Sequence, residues 1–366
     1  MSESLPVSDA RLNSGGSRFE FLDPLRGIAA ILVVLQHLGV VTVGYFAVLA
    51  FFVISGYCIA ASAETGIRNG MSFWTYMKRR IRRIYPPYLA SIVFFVGTRV
   101  VKGYLSGDYG QIMRPLHVWV QNITLTQWVS LTDNESGYPY GSDSLFVAAY
   151  WSLNYEEQFY LVVGLAMAAG ISFGTSLRNL LLGLTLFTMV LMSILPQLCV
   201  GFFFDYWPIF GVGVAAYYRM TAPRTSRLKV LLDTLLVALL AVCVCMLVWG
   251  VRPDPARRFI WEDLLVASSI AALLIFIRPF DRKLIGTLPM RVLKFIGTIS
   301  FSLYLVHQFN ITAAATFANM FIAPDVWRAG NVVLQLLVHV VVATVFWRLF
   351  ERPFLNSPPK AVALAR

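Results

Sequence analysis

The chain carries a long series of apolar stretches, each near the 20 residues that a helix needs to cross the hydrocarbon core of a bilayer. They fall near 26–43, 45–63, 84–101, 145–170, 178–196, 200–218, 228–249, 260–277, 297–317 and 331–350. Such a series leaves little choice of architecture. Backbone polar groups in lipid must be satisfied within their own segment, so each stretch is expected to be a helix. The expected fold is an all-α polytopic membrane protein with about ten transmembrane helices. A further stretch, 115–131, carries His117, Gln121, Asn122 and Gln127, and is expected to be extracytoplasmic or re-entrant. Composition supports a lipid environment. Of 366 residues, 58% are hydrophobic and 13% charged. Water-soluble domains are nearer one quarter charged.

The formal net charge is +11. In a soluble protein such an excess suggests nucleic acid or another anionic surface. Here its distribution follows the expected topology. Loops assigned to the cytoplasm hold Arg68, Lys78, Arg79, Arg80, Arg82 and Arg83, then Arg219, Arg224, Arg227 and Lys229, then Arg278, Arg282, Lys283, Arg291 and Lys294. The opposite side has little beyond Lys102, Arg114, Arg252, Arg257, Arg258 and Arg328, and its long loop 102–144 carries Asp108, Asp133, Glu135 and Asp143. This bias predicts that the N- and C-termini are both cytoplasmic, and removes most of the case for nucleic acid.

Residues 1–20 are polar and are expected to form a disordered cytoplasmic tail, with one transmembrane domain over 21–354 and a second cytoplasmic tail over 355–366. No cleaved signal peptide is evident. Neither a fixed-period repeat nor paired broken helices of the transporter kind stand out. Cys58, Cys199, Cys243 and Cys245 all lie in apolar stretches without zinc-ligand spacing, and are read as small buried hydrophobes. No metal site is expected.

Ionisable groups inside a span cost several kcal/mol and so point to function by default. Arg26 and His37 are eleven residues apart on the first helix. Eleven steps return to the same face and rise about 16 Å. With Arg26 at the cytoplasmic edge and His37 near mid-membrane, the pair suits a long anionic ligand whose reactive end reaches inward. The plainer reading is a snorkelling arginine and a buried histidine bonded to a neighbouring helix. The stretch Lys78-Arg79-Arg80-Ile81-Arg82-Arg83-Ile84-Tyr85-Pro86-Pro87 is read as a loop at a helix mouth that opens with a basic run of five charges in six positions. It is suited to phosphates, but taken alone it reads better as an ordinary positive-inside anchor that also touches anionic lipid.

Trp151-Ser152-Leu153-Asn154-Tyr155-Glu156-Glu157 is the most polar stretch in any span. Counting residues puts Glu156, about eleven into its span, and His307, about ten into its own, at one depth with His37. A histidine beside a carboxylate is a general-base arrangement. The alternative is a structural polar knot between helices. Asp205 and His339 lie nearer the outer ends of their spans and are expected to line an acceptor entrance or face water.

Several segments together resemble the acyltransferase-3 family of integral-membrane acyltransferases. Phe21-Leu22-Asp23-Pro24-Leu25-Arg26-Gly27 is similar to its first-helix entry, with Pro24 where glycine is common. Arg26 and His37 match its Arg-x10-His signature, and Phe51-Phe52-Val53-Ile54-Ser55-Gly56-Tyr57 its second-helix motif. Arg80 and Arg83, within Arg80-Ile81-Arg82-Arg83-Ile84-Tyr85-Pro86, match its Arg-x-x-Arg motif. Trp151-Ser152-Leu153 with Glu156, Ser302-x-Tyr304-x-x-His307 and Phe350-Glu351-Arg352-Pro353 follow in the family's order.

The resemblance implies transfer of an acyl group, most often acetyl, from acyl-CoA to a hydroxyl of a surface polysaccharide, O-antigen or similar oligosaccharide, at a bacterial inner membrane. Acyl-CoA is then a co-substrate, with no permanently bound cofactor. The partners are membrane lipids and a carbohydrate acceptor, lipid-linked or free. Some family members carry an esterase-like soluble domain, and ending at 366 the chain is expected to work from its membrane part alone. On this basis Arg26, Arg80 and Arg83 are expected to bind acyl-CoA. His37 serves as general base or transient acyl carrier, and Glu156 orients it. His307, Tyr304, Trp151 and Ser152 support the reaction or bind the acceptor. A transporter or flippase of a glycan precursor is the alternative. The glycan and the oligomeric state are left open by the residues.

Overall fold

A computed structural model describes residues 19–110, 112–127, 145–195, 201–250 and 260–355. The two expected tails, apart from the residues at their inner edges, lie outside these residues, as do Cys199 and the acidic Asp133, Glu135 and Asp143. Every regular element among the described residues is helical. In chain order they are α1 (Leu22–His37), α2 (Gly44–Arg68), α3 (Phe73–Ser106), α4 (Leu116–Thr124), α5 (Trp151–Phe173), α6 (Leu177–Ile194), α7 (Trp207–Thr221), α8 (Arg227–Trp249), α9 (Ile260–Ile277), α10 (Asp281–Ile285), α11 (Leu288–Thr298), α12 (Ser300–Phe321) and α13 (Arg328–Phe346).

Each of the ten stretches expected to span carries one of these helices. Six helices, or helices with their short continuations, are long and apolar enough to cross a membrane; the pair α11–α12, bent by 71°, makes a seventh if taken as one span. The chain is thus a multi-pass membrane protein. The other segments fall short for identifiable reasons. α1 has 16 residues and α7 has 15. The 23 residues of α5 include Asn154, Glu156, Glu157 and Gln158. The weak candidate at 115–131 contains only the nine-residue α4, about 14 Å long.

α1 ends where glycine permits it. Gly39 adopts φ 69°, the N–H of Val40 donates to Leu35 O at 2.9 Å, and that of Gly39 donates to Gln36 O at 2.9 Å. This is a Schellman motif. His37 therefore closes α1, where the sequence suggested a span continuing to 43 with His37 near its middle. At the other end, Asp281 of α10 accepts from the backbone N–H groups of Glu20 and Phe21 at 3.0 and 2.9 Å, satisfying donors at the entry to α1.

The basic run also differs from expectation. It is not a loop but the second and third turns of α3, which begins at Phe73 because Ser72 caps it, accepting from Thr75 N at 3.3 Å. Pro86 and Pro87 lie inside this 34-residue helix. Lacking N–H groups, they free the carbonyls of Arg82 and Arg83 from helical bonding. Helicity splits the run by face. Lys78, Arg79 and Arg82 are exposed, while Arg80 and Arg83 turn inward.

Two helix pairs meet through glycines. A β-carbon on Gly56 of α2 would overlap the carbonyl oxygen of Phe210 on α7, and one on Gly213 of α7 would overlap that of Val53. α1 and α11 show the same reciprocity, Gly27 against Leu293 O and Gly297 against Asp23 O. Small residues let backbones approach closely where lipid supplies no hydrophobic drive between helices. Substituting Gly56→Ala is expected to destabilise the protein by about 1–3 kcal/mol, as overpacking does. Thermal unfolding of purified protein in detergent measures this, and an unchanged midpoint would show that the contact yields freely.

Candidate active site

A cavity of about 410 Å³ opens between α1, α2, α3, α5, α11, α12 and the end of α13. That volume lies in the range of small-molecule sites. Arg26, Arg83 and Lys294 line it together with Asp23, Glu156 and Glu351. Its apolar wall includes Val48, Phe51, Phe52 and Phe301. The helical inward face of α3 brings Arg83 here. Arg80, one turn away, instead donates to Ser62 Oγ at 2.5 Å, and its guanidinium stands 5.1 Å from the ring centre of Tyr76 and 5.5 Å from that of Tyr160. Of the two arginines of the Arg-x-x-Arg motif, Arg83 faces the cavity and Arg80 is packed beside it.

Glu156 accepts from Ser55 Oγ at 3.2 Å and from the Tyr160 hydroxyl. Glu351 accepts from Ser302 Oγ at 2.5 Å. It sits in a π-helical turn, Trp347–Glu351, that continues α13. Turns of this kind recur at functional sites. Both carboxylates line the cavity with Arg83.

The cavity reaches Ser152 and Tyr304, whose hydroxyls lie 2.9 Å apart. The Tyr304 hydroxyl also donates to the carbonyl of Ala149. One helical turn beyond Tyr304 is His307, and the rings of His307 and His37 have centroids 4.9 Å apart. His307 Nδ1 lies 2.7 Å from the carbonyl oxygen of Tyr304. A carbonyl only accepts, so Nδ1 carries the proton and Nε2 is left bare. Nε2 is buried and has no hydrogen-bond partner among the described residues.

The structure thus brings His37 and His307 together, as the residue count suggested, but not Glu156. Counting down α12 from His307 to Tyr304, across to Ser152, and down α5 to Glu156 puts the carboxylate about 10 Å below the imidazoles. The discrepancy arises because α1 stops at His37, and residue counting had assumed that the span ran on. The side chain that reaches His37 is Gln308, whose Nε2 lies 3.4 Å from Nδ1 and 3.3 Å from Nε2 of the imidazole. Gln308 is itself held by the start of α5, accepting from Ala149 N at 3.0 Å.

Trp151 adjoins the site within an aromatic group, its ring centre 6.3 Å from that of Tyr45, 6.0 Å from Phe52 and 5.3 Å from Tyr206. Asp205 and His339 were expected to line an entrance or face water. Both are fully buried. Asp205 accepts from the Tyr155 hydroxyl and from Gly201 N, each at 2.8 Å, and His339 Nδ1 lies 3.4 Å from Asn310 Nδ2. Cys243 is buried and Cys58 half-buried, but Cys245, read as buried, is exposed on α8. Gln308, Glu351, Lys294 and Asp263 were missed by sequence reasoning. Asp263 accepts from the Tyr45 hydroxyl at 2.9 Å. Gln308 directly follows the Ser-x-Tyr-x-x-His segment and Glu351 lies in the closing one, so their positions were marked though their roles were not.

These residues all lie within one stretch of the chain, and that stretch matches a known family. The family described as "Acyltransferase domain" matches residues 19–351. The chain belongs to the acyltransferase-3 family. Acyltransferase-3 relatives extend the comparison. The peptidoglycan O-acetyltransferase OatA of Listeria monocytogenes is 26% identical over 381 residues, covering 92% of this chain and 56% of the relative. YrhL of Bacillus subtilis, provisionally named a peptidoglycan O-acetyltransferase, is 26% identical over 355 residues, covering 91% of this chain and 54% of the relative. A Staphylococcus aureus (strain COL) protein, provisionally named an O-acetyltransferase, is 24% identical over 382 residues, covering 93% and 58%. The chain spans somewhat more than half the length of these acyltransferase-3 relatives. No solved structure matches it significantly.

Proposed function

We propose that the protein transfers an acetyl group from acyl-CoA to a hydroxyl of a cell-envelope carbohydrate. The observation that carries this reading is the alignment of an arginine-lined cavity with the His37–His307 pair along α1 and α12. The arm of CoA between sulfur and the pyrophosphate has twelve backbone bonds, as many as four extended residues, or roughly 14 Å. The rise from Arg26 to His37 is about 16 Å. Phosphates held by Arg26 and Arg83 therefore leave the thioester near the imidazoles, past the Ser152–Tyr304 hydroxyl pair. Arg80 acts through the packing of α3 and Tyr160 in this reading.

In the direct route, His37 accepts the proton of the acceptor hydroxyl as its oxygen bonds to the thioester carbon. The carbon–sulfur bond breaks, and the imidazolium returns the proton to the departing thiolate. In the two-step route, a nitrogen of His37 bonds to the thioester carbon as the carbon–sulfur bond breaks and the thiolate departs. The acceptor hydroxyl then bonds to that carbon, the carbon–nitrogen bond breaks, and the hydroxyl proton, left on the imidazole, passes to the thiolate. Gln308 fixes the ring in either case, and His307, with its bare Nε2, accepts a hydrogen bond from the acceptor. The names of the relatives favour peptidoglycan or another envelope glycan as acceptor.

Purified protein supplied with labelled acetyl-CoA and candidate glycans is expected to yield esterified glycan. Labelled donor that is never transferred to any hydroxyl acceptor, despite folded protein, would end the proposal. Substituting Gln308→Ala is expected to lower kcat about 10–100-fold, the scale of a misoriented catalytic group, with the KM for acyl-CoA little changed. A rise in that KM alone would place Gln308 on the donor instead.

A further inference from the structure

The cavity holds as many carboxylates as cations before any ligand arrives, and Lys294 is further paired with Glu20 at 2.5 Å. Arg26, Arg83 and Lys294 face Asp23, Glu156 and Glu351. A pocket evolved only to hold phosphates as tightly as it can would not surround its arginines with carboxylates, since each one repels the ligand. The most constrained of them is Glu351. It is 4% exposed, its Oε2 is fixed by the hydroxyl of the fully buried Ser302 at 2.5 Å, and it lines the cavity together with Arg83 and Arg26. A π-helical turn presents it at the end of α13.

We infer that Glu351 is a resident counter-ion of the arginine pair, an anion with which the phosphates of the donor and of the product CoA compete. Two guanidinium groups lining one low-dielectric cavity repel each other, and a carboxylate fixed in the same wall offsets that repulsion. An arriving pyrophosphate takes over that neutralising role. When the product leaves, Glu351 reclaims the arginines without a conformational search, because Ser302 has held it in place. Glu351 is thus a positioning residue that limits the grip on CoA and favours its release. This rests on the acyl-CoA reading above.

The test is equilibrium binding of CoA and of pantetheine, which lacks the phosphates, to full-length protein in detergent. Removing the charge with Glu351→Gln is expected to tighten CoA binding about tenfold, the scale of one carboxylate within several ångströms of a phosphate in a half-screened site. Pantetheine binding stays the same. Should that variant not fold, Ser302→Ala frees the carboxylate and is expected to shift CoA affinity in the same direction by about twofold, the scale of a lost hydrogen bond. Wild-type protein that binds CoA, with a variant that binds it equally or more weakly, overturns the counter-ion role. Wild-type protein that binds no CoA overturns the donor assignment, and this inference with it.

Discussion

Substituting His37→Ala is expected to lower acetyl transfer by about 10³-fold or more, within or above the 10²–10⁴ that a positioned acid–base group contributes. The protein should fold normally. His37 closes α1 and is exposed, so its loss opens no internal cavity. The Schellman turn at Gly39 that ends the helix uses backbone groups only. The measurement is product formation by purified variant against wild type, with thermal unfolding as control. Near-normal turnover would show that the chemistry lies elsewhere, and His307, 4.9 Å away between ring centres, would be the next group to test. Replacement by glutamine keeps a hydrogen bond to Gln308 while removing the titratable ring, and is expected to be as inactive as alanine.

Substituting Arg83→Ala is expected to raise the KM for acyl-CoA about 10–100-fold, as loss of a charge-assisted contact of roughly 1.5–3 kcal/mol implies. kcat should change far less if the contact is equal in ground and transition states. Lysine should restore only part of the affinity, because an ammonium cannot offer the guanidinium fork. Arg80→Ala provides the contrast. Arg80 donates to Ser62 and lies against Tyr76 and Tyr160, away from the cavity lining. Its loss is expected to cost stability, with only a few-fold change in KM, through the lost cation–π contacts. Equal KM shifts for the two variants would mean that the phosphates extend beyond the cavity to Arg80.

Much of the cavity's lining was legible along the chain. Arg26, Arg83, Glu156, Ser152 and Tyr304 line one cavity, and His37 meets His307 just beyond it. What misled was depth. A count along apolar residues ran the first span through to 43, because Val40, Val41 and Val43 are as apolar as what precedes them. The backbone turned at Gly39 instead, so His37 closes α1, level with the start of α5 rather than with Glu156. The basic run looked like a loop because of its charge and its two prolines, yet a serine cap and the continuity of the helix decided otherwise. Gln308 and Glu351 stood beside or inside recognisable segments, but their importance comes from what faces them on other helices. One partner is 271 residues away and the other 49.

Apolar length, a property of the chain itself, was enough to require a helical membrane protein. Lipid does not solvate bare peptide groups, so this outcome holds however the helices pack. Which carboxylate serves which cation, and which amide steadies the imidazole, was settled only by packing. Such pairings depend on where each helix stops and on how closely glycines let two backbones approach, and a few ångströms along an axis exchange one neighbour for another.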